Sequence, residues 1–327
     1  MPQFSEKILA WEGTSSADVQ QYYANLQALR ERIHPGKTLA PEPNEYYLRC
    51  PDGVRIFCQE WIPDTPRALI LCQHGNNVHG DIFFSLADDF FYRNIGVLAV
   101  DNRGHGRSGP VRGHCDKPVQ MNAIYYRIFK RWRQEFPGVP CFFLGESLGS
   151  CIVTNFASQY ANRCPNLVSV ILMVAPFRIR GENFVRLMVP IIVPIALFIF
   201  AFTGSHPVIK LPQFYNNPTY FPEFNTYDRF DKMNSRKNSA LNLLNLFAGV
   251  FPFRFRIPRA KLPALVLQGT GDKAVDPAGT LLMYKRLGSQ QKKLIFYPNA
   301  NHSLFMDQNS QTIYTDIMAW IGHWADV

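Results

Sequence analysis

Ser147, Asp272 and His302 have the residue types and the chain order that covalent acyl transfer needs. A serine hydroxyl is a poor nucleophile near neutral pH. It needs a base to take its proton and a carboxylate to orient that base. Ser147 lies in "CFFLGESLGSCIV", Cys141 to Val153, between Gly145 and Gly149 and between two apolar runs. Gly-x-Ser-x-Gly between a strand and a helix makes a turn so tight that side chains at the glycines would collide with the flanking elements. The turn lifts the hydroxyl out of the core, with a helix N-terminus behind it to favour developing negative charge. The competing reading makes Ser147 an ordinary helix N-cap. The buried-strand pattern before it and the amphipathic "LGSCIVTNFASQYA" after it favour the nucleophile.

Eight histidines compete for the base. A strand–turn–helix nucleophile is followed along the chain by the acid and then the histidine. Only His302 and His323 lie beyond the apolar run "PALVLQ". His302 sits in "YPNANHSLF", directly after the last strand-like run, and is the preferred base. His323 stands beside Trp320 and Trp324 in a terminal helical pattern, where packing or surface exposure explains it. His74 and His105 precede Ser147 in glycine-rich turns and read as structural. For the acid, "LQGTGDKAVDPAGT" offers Asp272 and Asp276. Asp276 precedes Pro277 and is most simply an N-cap, so Asp272, straight after the strand, is preferred. "LILCQHGNN" ends a strand with His74-Gly75-Asn76, a turn that lets the Asn76 N–H face the site. The second oxyanion donor is expected from Leu148, the residue after the nucleophile.

The elements that must position these groups are legible as short apolar runs: "ALILCQ", "GVLAV", "CFFLG", "VSVILMV", "PALVLQ" and "KLIFY". Most connections between them are long enough for a helix. This predicts an α/β fold with a mostly parallel central sheet covered on both faces. Before them, "YYLRC" and "VRIFCQEW" form a hairpin around Pro51-Asp52-Gly53. Residues 1–44 read as an N-terminal extension. Its helix carries Val19, Tyr22, Tyr23, Leu26 and Leu29 on one face with Ser16 and Asp18 as start signals, and a proline-rich linker follows. The core comprises 45–176 and 261–327. Residues 177–260 break the alternation, show no regular strand pattern, and read as an inserted helical cap. Within the cap, Leu187 to Phe202 carries no charge. It is short for a bilayer span and contains Pro190 and Pro194, so it reads as a buried cap helix or an interfacial segment.

Composition narrows the partners. The formal net charge is +9 over 327 residues, and Arg178 to Arg259 holds eleven lysines and arginines against four acidic residues. A basic cap favours an anionic interface, and no nucleic-acid motif accompanies it. The acidic N-terminus lacks a signal-peptide core. The seven cysteines form no Cys-x-x-Cys pair and several sit in apolar runs, which points to a reducing, cytoplasmic setting.

With these pieces in order, "QHGNN", "DNRGHGRSG", "FPGVPCFFLGESLGS", "LVLQGTGDKAVD" and "YPNANHS" resemble the α/β-hydrolase superfamily, and within it the monoacylglycerol lipase and lysophospholipase-like branch. The run Gly104-His105-Gly106-x-Ser108 is similar to that branch's Gly-His-Gly-x-Ser. The resemblance covers about residues 45–325. It implies a serine ester hydrolase acting on lipid-like acyl esters without metal or cofactor, with Ser147, Asp272 and His302 as triad and Asn76 and Leu148 as oxyanion donors. Relatives commonly carry two glycines where this chain has Gly149-Ser150, and small residues where it has Asn76-Asn77. The same triad would serve an acyltransferase or peptidase, and the fold could be used for binding alone. The apolar, basic cap adds the expectation of a peripheral membrane contact.

Overall fold

The computed structural model describes residues 15–115, 117–180, 191, 194, 195, 198, 208–210, 219–239 and 253–325. Helix α1 (Ser16–Ile33) is followed by strands β1 (Asn44–Arg49), β2 (Arg55–Trp61) and β3 (Ala68–Gln73), then α2 (Phe84–Phe90), β4 (Ile95–Val100), α3 (Met121–Glu135), β5 (Cys141–Glu146), α4 (Leu148–Tyr160) and β6 (Leu167–Met173). After these come β7 (Val208–Lys210), α5 (Pro222–Phe230), β8 (Lys237–Ser239), β9 (Ala264–Gly269), α6 (Pro277–Arg286), β10 (Lys292–Tyr297) and α7 (Ser310–Gly322).

Eight strands form one sheet in the order β1-β2-β4-β3-β5-β6-β9-β10. β2 runs antiparallel to β1 and β4, and every pairing from β4 across to β10 is parallel. Helices cover both faces, so β3, β4, β5 and β9 are buried along their whole length and carry continuous apolar runs. Alternate residues feed two cores. Phe142 and Leu144 face a layer built with α1, α2 and α7, whereas Cys141 and Phe143 face a layer built with α3 and α4. On α3, Ile124, Tyr125, Ile128, Phe129 and Trp132 form the buried stripe, and Ile124, Ile128 and Phe129 each contribute about 1.5–3 kcal/mol on full burial.

The N-terminal helix starts one residue earlier than its sequence signals suggest. Ser15, not Ser16, is the N-cap, and its exchange of hydrogen bonds with Asp18 forms a capping box. Val19, Tyr22, Leu26, Leu29 and Ile33 are buried. The helix lies against α5: Tyr22 and Tyr227 share a 2.9 Å hydroxyl–hydroxyl bond, and Lys232 Nζ is 2.6 Å from Asp18 Oδ2. Beneath this contact lies a buried charged cluster. His79 Nε2 is 2.7 Å from Asp231 and its Nδ1 is 3.4 Å from Asp81. Arg107 donates two 2.9 Å bonds to Asp81. Burial opposes a charge on His79, but the Asp231 and Asp81 carboxylates outweigh it and raise its pKa to about 10. Burial likewise opposes charge on Asp81, yet Arg107 and His79 hold its carboxyl well below the ordinary range.

The described part of residues 177–260 holds one feature that the sequence expectation lacks. β7 and β8 pair antiparallel over three residues each, where no strand pattern is visible; stretches this short are too brief for a period-two signal to emerge. The expectation for Leu187 to Phe202 lies outside the described residues apart from Ile191, Pro194, Ile195 and Phe198, which are helical and exposed. Among the described residues, no helix is long and apolar enough to cross a membrane.

Candidate active site

Ser147 follows the last residue of β5 and precedes the first of α4. Its backbone sits at φ 53° and ψ −121°, and its side chain makes no cap hydrogen bond. The N-cap reading therefore fails at the hydroxyl. A non-glycine residue in this region is strained, and the surroundings hold it there. Ser147 N donates to Met173 O at 2.9 Å. The glycines of the elbow are required by contact. A Cβ on Gly145 would lie 2.4 Å from Gly149 backbone atoms, and one on Gly149 would lie 2.1 Å from Gln73 O. Ser150, at the departure from the double glycine, donates its hydroxyl to Gly145 O at 2.7 Å and Met173 O at 2.9 Å, tying the elbow to β6.

The two residues expected as acid and base come from two neighbouring strand ends. Asp272 follows β9 and His302 follows β10, which are parallel neighbours. His302 Nδ1 is 2.8 Å from Asp272 Oδ2. Asp272 is fully buried, and its Oδ1 accepts from Ala274 N at 2.8 Å and Val275 N at 2.9 Å. Gln268 Nε2 donates to Oδ2 at 3.1 Å. Burial would raise the Asp272 pKa, but His302 and the two backbone donors bring it below its ordinary value. Burial would lower that of His302, but Asp272, with a smaller push from Glu146, raises it. Nδ1 thus carries the proton toward Asp272, and Nε2 is left able to accept one. Asp276 lies apart as the N-cap of α6, accepting from Ala278 N at 3.0 Å. His323 is on the surface against Trp320.

Gly75 brings the turn bearing Asn76 onto Ser147: a Cβ there would approach Ser147 Cβ to 3.0 Å. His74 anchors the turn. Its Nδ1 bonds Gly75 O at 2.7 Å and its Nε2 accepts from Asn102 N at 2.8 Å. That pattern requires a neutral ring, and burial pushes its pKa well down. His105 approaches Asn76 Oδ1 within 3.3 Å and is likewise held neutral by burial, at about 4. Leu148 opens α4, so its N–H is one of the orphan donors of a helix start. Gly75, Asn76, Ser147 and His302 line one cavity of about 50 Å³. Ser147 and His302 share this cavity without a hydrogen bond between their side chains, and such bonds commonly tighten only when substrate binds.

Sequence reasoning passed over three neighbours. Glu146 lines the cavity, is buried, and is pushed up to about 7 by burial and the nearby Asp272, against a lowering influence of His302. Tyr220, from segment 177–260, accepts from Ser303 N at 3.0 Å and so grips the loop bearing His302. Asn77, in the left-handed region at φ 68°, accepts at 2.7 Å from Asn238 on β8. Glu146 stood inside the pentapeptide and could have been flagged as an acid at the end of an apolar strand. The other two are contacts between distant segments and left no local signal.

Among the described residues, no group of three or more histidine, cysteine, aspartate or glutamate side chains is arranged to hold a metal ion. The sequence profile of the family described as serine aminopeptidase, S33 matches residues 64–309. The monoacylglycerol lipase of Mycolicibacterium smegmatis is 26% identical over 273 residues, covering 82% of this chain and 93% of that protein. The monoglyceride lipase of Homo sapiens is 25% identical over 281 residues, covering 83% and 88%. Among solved structures, a soluble variant of the Saccharomyces cerevisiae monoglyceride lipase in complex with a substrate analogue superposes with a TM-score of 0.74 at 20% identity, covering 89% of this chain and 98% of that one. With the profile spanning the elbow and both partner loops, on a sheet of the same architecture, the chain belongs to the serine aminopeptidase S33 family of α/β-hydrolases.

Proposed function

We propose that the protein is a serine ester hydrolase that cleaves lipid-like acyl esters through an acyl-enzyme, with Ser147, Asp272 and His302 as the triad and the amides of Asn76 and Leu148 as the oxyanion donors. The observation that carries the reading is the strained Ser147, aimed into the cavity that also holds His302, itself oriented by buried Asp272. Ser147 Oγ attacks the ester carbonyl as its proton passes to His302 Nε2. Negative charge grows on the carbonyl oxygen, where the two amides receive it. The C–O bond to the alcohol then breaks, with His302 returning the proton to the departing oxygen. Water attacks the acyl-enzyme by the same route and releases the acid. Asp272 stays ionised and stabilises the imidazolium.

The relatives named as monoacylglycerol and monoglyceride lipases favour an ester with a glycerol-type alcohol over the amide bond that the family description suggests. Acyl transfer to another acceptor and a purely binding role find no specific support in the site. Labelling with a fluorophosphonate probe tests the nucleophile: the parent is labelled and Ser147→Ala is not. A panel of glycerol esters, lysophospholipids and aminoacyl amides then tests the substrate class, and faster turnover of amides would refute the ester reading.

The same reading includes a peripheral membrane contact through 177–260. Ile191, Ile195 and Phe198 recur at i, i+4 and i+7 and are 53%, 55% and 63% exposed, and Phe255 is 66% exposed beside basic Arg254 and Arg256. Apolar insertion flanked by basic charge is the pattern of interfacial binding. Co-sedimentation with anionic liposomes, weaker at high salt, tests it; no sedimentation at any salt concentration refutes it.

A further inference from the structure

We propose that Glu146 is a specificity residue of this site, reading a free hydroxyl on the alcohol side of the ester through its carboxyl group. The inference deepens the ester-hydrolase reading and rests on it. β5 places alternate residues on one face, so Glu146 continues the column of Phe142 and Leu144. It points with them toward the layer that supplies Ile82, Phe224, Phe305 and Met306. An apolar residue would continue that core without cost. Glu146 is 5% exposed, its carboxyl oxygens keep access to the cavity, and among the described residues the carboxyl has no hydrogen-bond partner. A largely buried carboxyl with no protein partner must take its hydrogen bonds from whatever enters the cavity. The arrangement is relieved when a ligand brings the missing donor.

The cavity says where that donor comes from. Glu146 lines it together with Ser147 and His302, so a group entering it lies beside the reacting bond. Of its other polar side chains, His302 is engaged on Asp272, Asn76 on Asn77 and Ser303 on Tyr220, and Ser147 is the proposed nucleophile. About 50 Å³ holds roughly four water-sized groups, the scale of a three-carbon polyol and far below that of an acyl chain. The hydroxyl donates to a Glu146 oxygen while the neighbouring ester oxygen leaves toward His302. A site built around a substrate hydroxyl discriminates strongly against the analogue that lacks it, because the buried acceptor is then left unpaired.

The test compares two esters of one acid, 1-octanoylglycerol and ethyl octanoate, on the parent, Glu146→Met and Glu146→Gln. The readout is the ratio of the two kcat/KM values. At about pH 8.5, where a carboxyl raised to about 7 is ionised, Glu146→Met is expected to lower the ratio, glycerol ester over ethyl ester, by about 10- to 100-fold, the range for a hydrogen bond to a charged acceptor. Glu146→Gln, which keeps the volume and one neutral acceptor, falls between. Glu146 also acts electrostatically on His302, and that influence changes both esters together. A parallel fall with the ratio unchanged, or no fall at all, overturns the proposal while leaving the ester reading intact. If Glu146→Met does not fold, the ratio for Glu146→Gln decides, and a ratio equal to the parent's is the refuting result. A parent that hydrolyses neither ester and escapes fluorophosphonate labelling would refute the ester reading itself, and the hydroxyl proposal with it.

Discussion

Replacing Asp272 with asparagine should reduce kcat/KM about 10,000-fold, and the hydrogen bonds of the loop say why. Oδ1 accepts from two backbone donors, Ala274 N and Val275 N, while Oδ2 faces His302 Nδ1 and Gln268 Nε2. In the variant the amide oxygen must stay with the two backbone N–H groups. The NH2 group then takes the place of Oδ2 and presents donors to His302. Gln268 cannot turn to accept them, because its Oε1 already receives the Thr280 hydroxyl at 2.7 Å. Facing a donor, the imidazole places its proton on Nε2, the nitrogen that should accept from Ser147. A wrong-tautomer histidine costs about four orders of magnitude in an enzyme of this logic, about 5.4 kcal/mol of transition-state stabilisation. The fold should persist, since both backbone bonds survive; the donor–donor clash with Gln268 costs about 1–3 kcal/mol. The assay is p-nitrophenyl butyrate hydrolysis beside thermal melting. Asp276→Ala is the control: it loses the α6 cap, costs about 1 kcal/mol, and keeps its turnover within a few-fold. An Asp272→Asn variant within tenfold of the parent, or an Asp276→Ala variant crippled at the chemical step, would refute the assignment of the acid.

The pKa of His302 is raised above 6.5, and the base must be neutral to act, so kcat/KM should rise with pH through a midpoint above 6.5; a midpoint at or below 6.5 contradicts the electrostatics described. His79 is raised to about 10, so its stabilising charge is fully present below pH 6.5 and is lost as pH climbs through about 10. The melting temperature should therefore fall between pH 7 and 10 more steeply in the parent than in His79→Gln. At pH 7 that variant should be about 3–5 kcal/mol less stable in denaturant titrations, because Asp231 and Asp81 lose their buried cation; parity of the two proteins would exclude the pairing. Gly145→Ala, whose Cβ would lie 2.4 Å from the Gly149 backbone, should abolish fluorophosphonate labelling and lower soluble expression, and normal labelling would show that the elbow can relax.

The sequence by itself determined the chemistry and the scaffold's class. Strands buried on both faces must be apolar along their length, so β3, β4, β5 and β9 announced a covered parallel sheet. A turn with backbone atoms packed against Gly145 and Gly149 admits no Cβ, so the glycines announced the elbow. Parallel strands put their carboxyl ends on one side of the sheet, so Asp272 and His302, in the loops after β9 and β10, could be expected to meet before their 2.8 Å distance was known. Tertiary structure alone decided what presses on that machinery from far along the chain. Tyr220 on Ser303, Asn238 on Asn77, and Tyr22 on Tyr227 join segments separated by 83, 161 and 205 residues, and neither period nor composition encodes such a meeting. Glu146 belongs between the two cases. Its identity was visible in the first stretch of sequence considered, but its lack of a protein partner, and so its chemical use, exists only once Ile82, Phe224, Phe305 and Met306 line the cavity beside it.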